Sequence, residues 1–145
     1  MEKTLDSLQK MQDEASAFVT TLKPKSYGAL TIGLEGDLGS GKTTFVQDAG
    51  KSMGLVENLT SPTFIIEKIY DLPKNSLFKK FVHVDAYRLD SAEELQRLGF
   101  HEILKDKSNI VFIEWPEKIK SILPHDTKSI VFTFVNETTR KITYV

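Results

Sequence analysis

Eight consecutive residues carry the most specific chemistry in this chain. Gly36-Asp37-Leu38-Gly39-Ser40-Gly41-Lys42-Thr43 reads G-x-x-x-x-G-K-[ST], the pattern of a loop that cradles phosphates. Gly36, Gly39 and Gly41 let successive backbone N–H groups turn into one concavity. The start of the following helix adds partial positive charge to that concavity. Lys42 brings a full charge to the β- and γ-phosphates, and the Thr43 hydroxyl is placed to ligate Mg²⁺. Two carboxylates extend the constellation. Phe81-Val82-His83-Val84-Asp85 and Ile110-Val111-Phe112-Ile113-Glu114 are apolar runs that each end in an acid. Strands of that kind deliver a magnesium ligand, or an acceptor for the attacking water, beside the phosphates. Either acid can take either role, and the competing reading is two acids at strand ends that face solvent. Thr60-Ser61-Pro62-Thr63 lies where such proteins carry a segment that senses the γ-phosphate through hydroxyls, and Pro62 restricts the residue before it. His83, His101 and His125 are scattered and show no metal-ligand spacing.

The elements around these residues must hold them in place. Residues 29–34 read as a short buried strand entering the loop. Residues 43–53 read as a helix leaving it, with Phe45, Val46 and Ala49 on one face and Gly54 as a stop. Upstream, Leu5, Leu8, Met11, Ala15, Phe18, Val19 and Leu22 repeat at helical spacing, so a helix is expected over 5–22. Downstream, 63–70 and 77–85 read as two strands around the turn residues 71–76, a hairpin. Ser91 and Glu94 have capping-box spacing for a short helix that Gly99 ends. Residues 109–114 form an unbroken apolar strand, stopped by Trp115-Pro116, and 129–135 and 140–145 read as two further strands. The expectation is an α/β fold: one P-loop NTPase-like domain over 1–145, with a mixed β-sheet flanked by helices. Lys68, Lys74, Lys79 and Lys80 cluster on the hairpin. They suit a guarded sheet edge better than a surface for tRNA or an acidic partner. Phe100 and Trp115 suit the core better than a ligand platform.

Composition narrows the class. The chain has 145 residues, no cysteine and a net charge of −1. Disulfides and thiolate metal sites are excluded, and no global basic field draws in nucleic acid. The charged start Met1-Glu2-Lys3-Thr4-Leu5-Asp6 lacks the apolar stretch of a signal peptide, and no apolar run reaches membrane-spanning length. The expectation is a soluble, cytoplasmic protein without a membrane partner.

The motifs also occur in a telling order: the phosphate loop through Thr44-Phe45, then Ser61-Pro62-Thr63-Phe64, then His83-Val84-Asp85-Ala86-Tyr87-Arg88-Leu89, then Glu93-Glu94-Leu95 with Leu98-Gly99, then Glu114-Trp115-Pro116-Glu117. In this the chain resembles the TsaE family, formerly called YjeE, over about 29–143. That family is the ATPase subunit of the bacterial machinery for N6-threonylcarbamoyladenosine at tRNA position 37. The resemblance implies ATP on Asp37, Leu38, Gly39, Ser40, Gly41, Lys42, Thr43 and Thr44, with Mg²⁺ held by Thr43 and Glu114. It implies Asp85 as the residue that orients or activates water, Thr63 as the switch threonine, Trp115 beside the nucleotide and Arg140 as the C-terminal arginine of the site. It implies TsaD and TsaB as partners; beyond the resemblance, the expectation is that tRNA is met indirectly or weakly, and a monomer is favoured over an oligomer for the isolated chain. The family's threonine near the start of the first helix, which approaches the base, has no counterpart in Gln12-Asp13-Glu14-Ala15-Ser16.

Three other functions compete. A small-molecule kinase cancels charge on two phosphorylated substrates, usually with several arginines and a lid. Only Arg88, Arg97 and Arg140 occur here, and no segment is spare for a lid. A GTPase switch would carry an Asn-Lys-x-Asp string for guanine, which is absent. A nucleotide-gated scaffold that never turns over stays open at this level.

Overall fold

The computed structural model describes residues 1–57 and 66–145. Among these residues seven strands form one sheet in the order β1-β7-β6-β2-β5-β4-β3. The strands are β1 (Glu2–Leu5), β2 (Leu30–Glu35), β3 (Glu67–Asp71), β4 (Lys80–Asp85), β5 (Asn109–Glu114), β6 (Lys128–Asn136) and β7 (Thr139–Tyr144). The pairs β6/β2, β2/β5 and β5/β4 are parallel, while β1/β7, β7/β6 and β4/β3 are antiparallel. The sheet is therefore mixed, and β3 and β4 form the expected hairpin.

Side chains alternate across each strand, and the alternation sorts them into two cores. On β5, Ile110 and Phe112 join the core beneath helices α1 (Leu8–Thr20) and α2 (Lys42–Ser52). Val111 and Ile113 join the opposite core with Leu95 and Phe100, from the short helices α3 (Ala92–Gln96) and α4 (Phe100–Lys105). A 3₁₀ segment, Pro116–Ile122, adds Ile119 to that second core. Phe45 of α2 is fully buried and packs edge-on against Phe132 at 5.4 Å. The expected helix after the phosphate loop thus docks its Phe45, Val46 and Ala49 face on the sheet.

Local readings are revised in four places. The helix expected from Leu5 begins at Leu8. Residues 2–5 instead pair with β7, from Glu2↔Thr143 to Leu5↔Arg140. Ser7 then caps α1, its Oγ accepting the Lys10 N–H at 3.1 Å. Leu5 is buried through strand alternation, whereas Leu8, assigned to the apolar stripe, is 80% exposed. The second hairpin strand starts at Lys80 rather than Leu77, which is exposed in the turn. The first hairpin strand runs Glu67–Asp71, and residues 63–65 of its expected span lie outside the described residues. The capping box does not form: the Ser91 side chain makes no cap bond, and Glu94 Oε1 accepts the N–H of Asp90, one residue before the N-cap, at 3.1 Å. Phe100 is a core residue as expected. On the hairpin, Lys80 pairs with Asp71. Among the described residues no helix is long and apolar enough to cross a membrane.

Candidate nucleotide site

The carboxyl ends of β2, β5 and β4 meet beneath one cleft of about 1090 Å³. The phosphate loop leaves β2 at Glu35 and enters α2 at Lys42. Gly36 has φ of +144°, and a Cβ there would press on Phe132 and Ser40, so only glycine lets the loop run this close to β6. Ser40 Oγ is buried inside the loop with no hydrogen-bond partner among the described residues. Lys42 is 4% exposed. Its Nζ donates to the carbonyls of Gly36 and Asp37 and stands 3.9 Å from the Trp115 ring centroid. Burial pulls its ammonium below the usual lysine range, against the pull of Glu114, Glu117, Asp85 and Asp37.

Glu114 joins the two halves of the site. It ends β5 on the same face as Ile110 and Phe112, which is the α2 face. Its Oε1 accepts the Thr43 hydroxyl at 2.8 Å, and its Oε2 lies 2.6 Å from His83 Nε2. Asp85 stands opposite Glu114 in the parallel register β4/β5. Asp85 Oδ1 accepts the Tyr87 N–H at 3.0 Å. Burial pushes its carboxyl above the usual range, helped by Glu114 and opposed by the Tyr87 N–H, His83 and Lys42.

Trp115 follows Glu114 at φ of +62°, where a non-glycine residue is strained by about 1–3 kcal/mol. Its N–H is satisfied by the Leu34 carbonyl at 3.2 Å. That turn brings the indole over Lys42 and 5.0 Å from the Tyr87 ring. Trp115 is therefore packed against the second core and lines the cleft as well. Across the loop, Arg140 Nε donates to the Gly39 carbonyl at 3.1 Å, and its Nη1 donates to Asn136 and Thr139 carbonyls. Asp6, Ser7, Leu8 and Met11 form the wall at the start of α1.

The residues fit a phosphate with a hard cation. A buried hydroxyl in want of a partner sits in the loop at Ser40, and two hard oxygens meet at Thr43 and Glu114. Among the described residues no group of three or more His, Cys, Asp or Glu forms a closed metal cage. The Thr43 and Glu114 oxygens suit Mg²⁺, which takes one or two protein oxygens and completes its octahedron with water and phosphate.

The cleft brings together Asp37, Leu38, Gly39, Ser40, Gly41, Lys42, Thr43, Thr44, Asp85, Glu114, Trp115 and Arg140, all singled out from the sequence. Thr63 and its neighbours Thr60, Ser61 and Pro62 lie outside the described residues. A site residue was missed. His83 was set aside as a scattered histidine, yet it is fully buried against Glu114. Its signal was present: an imidazole inside an apolar strand, two residues before Asp85 and so on the same face. Arg88, counted among the three arginines of the sequence, lies in the turn just beyond β4 and lines the cleft as well.

A glycine loop between a buried strand and a helix, in a mixed sheet with a carboxylate at the tip of the adjacent strand, defines a P-loop NTPase-like fold. Comparison with known proteins narrows this. The family profile described as "Threonylcarbamoyl adenosine biosynthesis protein TsaE" matches residues 5–142, and the chain belongs to the TsaE family. It is 40% identical over 121 residues to the tRNA threonylcarbamoyladenosine biosynthesis protein TsaE of Rickettsia prowazekii, covering 83% of this chain and 77% of that one. It is 43% identical over 93 residues to the protein of the same name from Borreliella burgdorferi, spanning 64% of each chain. The crystal structure of Bacillus subtilis YdiB shares the fold, with a TM-score of 0.70 at 24% identity, covering 99% of this chain and 83% of that one.

Proposed function

We propose that this chain binds Mg-ATP in the cleft above β2, β5 and β4 and hydrolyses it. In this reading residues 1–145 act as one cytoplasmic domain, the ATPase component of N6-threonylcarbamoyladenosine modification at tRNA position 37, working on a TsaB–TsaD assembly. The observation that carries the reading is the 2.8 Å contact between Thr43 of the phosphate-loop helix and Glu114 of the neighbouring strand. It joins a phosphate cradle to a carboxylate, which is what a magnesium-dependent phosphoryl transfer needs.

The residues divide the work. Backbone N–H groups of 37–44 hold the phosphate oxygens, and Lys42 turns from its loop carbonyls to the β- and γ-phosphates. Thr43 and Glu114 would hold Mg²⁺, which supplies charge neutralisation on the phosphate oxygens. Asp85 orients the attacking water: its Oδ1 is engaged by the Tyr87 N–H, leaving Oδ2 to accept the water's proton. Its raised pKa improves it as an acceptor. Thr63 is the γ-phosphate sensor by the family pattern. Trp115 and Arg140 flank the nucleotide.

Turnover by the chain alone is slow in this reading. Arg140 holds its guanidinium in place with Nε and Nη1 on three backbone carbonyls, and Arg97 is exposed just beyond α3. A missing arginine finger costs ~10³–10⁵ in rate and can be supplied by a partner. The test is phosphate release at saturating Mg-ATP by the chain alone and with its TsaB and TsaD counterparts. Stimulation by the partners is expected. Fast turnover alone, unchanged by partners, refutes the assignment, and Arg88→Ala in the same assay shows whether Arg88 acts as the finger in cis.

A further inference from the structure

We propose that His83 is a positioning residue for the metal carboxylate: it locks the Glu114 side chain in the orientation that presents Oε1 to Thr43. The inference rests on the assignment of Glu114 as a magnesium ligand. Its own ground is geometric. His83 is fully buried and Glu114 is 3% exposed. A carboxylate this buried needs donors. Two donors reach it, one per oxygen: Thr43 Oγ1–H at 2.8 Å on Oε1, and His83 Nε2 at 2.6 Å on Oε2.

The two contacts differ in kind. Thr43 is also assigned to the cation, so its hydroxyl must release Glu114, or share it, when the metal arrives. His83 has no such second duty. Its Nδ1 has no hydrogen-bond partner among the described residues, so its one bond is to Glu114. An ionised carboxylate only accepts, so Nε2 carries the proton of that bond. The imidazole itself cannot swing away. It lies on β4 between Phe81 and Asp85, on the face whose neighbour is Phe112 of β5 in register. The ring is therefore a fixed donor at the back of the carboxylate, and Oε1 is the oxygen left to point forward into the cleft. Outer-shell partners of this sort are worth about 10–100-fold in metal affinity.

The experiment measures binding, not turnover. A fluorescent ATP analogue is titrated with and without Mg²⁺ against the parent chain, Glu114→Gln, His83→Leu, His83→Asn and His83→Gln. His83→Leu fills the volume without a donor. His83→Asn stays polar but is too short to reach Glu114, so it carries the test if the leucine variant fails to fold. His83→Gln returns an N–H near the Nε2 position. The expected result is a 10–100-fold higher Mg²⁺ concentration at half-saturation for His83→Leu and His83→Asn. Metal-free nucleotide binding should be unchanged, and His83→Gln should recover most of the loss. If Glu114→Gln loses Mg²⁺ dependence while His83→Asn keeps it, the positioning role is overturned and the ligand assignment stands. If Glu114→Gln also keeps it, the ligand assignment fails and this inference falls with it. An equal loss of metal-free and Mg²⁺-dependent binding in the His83 variants marks a purely structural role, and overturns the proposal.

Discussion

Gly36→Ala and Gly39→Ala, made separately, distinguish two costs inside one loop. Both positions have positive φ, +144° and +78°. An alanine is strained at either by about 1–2 kcal/mol. The space around them differs. A Cβ on Gly36 would stand 2.8 Å from Ser40 Oγ and 3.1 Å from Phe132 Cβ, and closer still to the Phe132 carbonyl oxygen. Nothing lies within 4 Å of a Cβ on Gly39. The Phe132 carbonyl belongs to β6, which is paired with β7 at this residue, so the loop must yield and not the strand. Overpacking of this kind adds ~1–3 kcal/mol. Gly36→Ala should therefore cost about 2–5 kcal/mol in total, and Gly39→Ala about 1–2 kcal/mol. With a urea slope on the order of 2 kcal/mol/M, the unfolding midpoint falls by roughly 1–2.5 M in the first and roughly 0.5–1 M in the second. Displacing the cradle by about 1 Å should also weaken productive ATP placement by about 10²-fold in Gly36→Ala alone. The assays are urea unfolding followed by circular dichroism, and ATP titration followed on Trp115, the single tryptophan of the chain. Equal midpoints for the two variants, or a Gly36→Ala chain that binds ATP like the parent, refute the claim that Phe132 and Ser40 close in on this backbone.

Lys42→Ala should abolish measurable ATP binding or hydrolysis while the chain stays folded. It should also change the emission of Trp115 without any nucleotide, because Nζ stands 3.9 Å from the ring; full activity in a folded variant removes the central assignment. Glu67→Gln should change how stability varies with pH. Burial raises the Glu67 carboxyl from 4.5 to about 7, and its Oε1 has no partner among the described residues. The folded chain thus holds this proton more tightly than the unfolded chain, so stability is lost as pH rises from about 4.5 through 7. Discounted for the partial exposure of the group, the loss is about 1–2 kcal/mol. Thermal unfolding at pH 8 should then show Glu67→Gln more stable than the parent, with little difference at pH 4; the reverse ordering contradicts this account.

Some of this molecule was readable along the chain and some was not, and the dividing line is the range of the interaction. The phosphate loop is legible because its chemistry is local, with Gly36, Gly41, Lys42 and Thr43 inside eight residues. β2, β4 and β5 are legible for a similar reason: burial on both faces writes short, mainly apolar runs into the sequence, unbroken over residues 110–113 of β5. β1 was not, because Leu5, Leu8 and Met11 satisfy a helical stripe. What captures residues 2–5 is the edge of β7, whose Thr143 pairs with Glu2 from the far end of the chain. The metal half of the site follows the same rule. Asp85 and Glu114 could be seen to end strands, but which of them meets Thr43 depends on strand order. Placing β5 directly beside β2 brings Glu114 to Thr43, 71 residues away in sequence, and leaves Asp85 one strand further out. His83 and His101 both lack metal-ligand spacing, and only the apolar residues around His83 set it apart in the sequence. One is sealed in the sheet and the other lies exposed on α4, and it is the packing of β4 against β5 that brings His83 to Glu114.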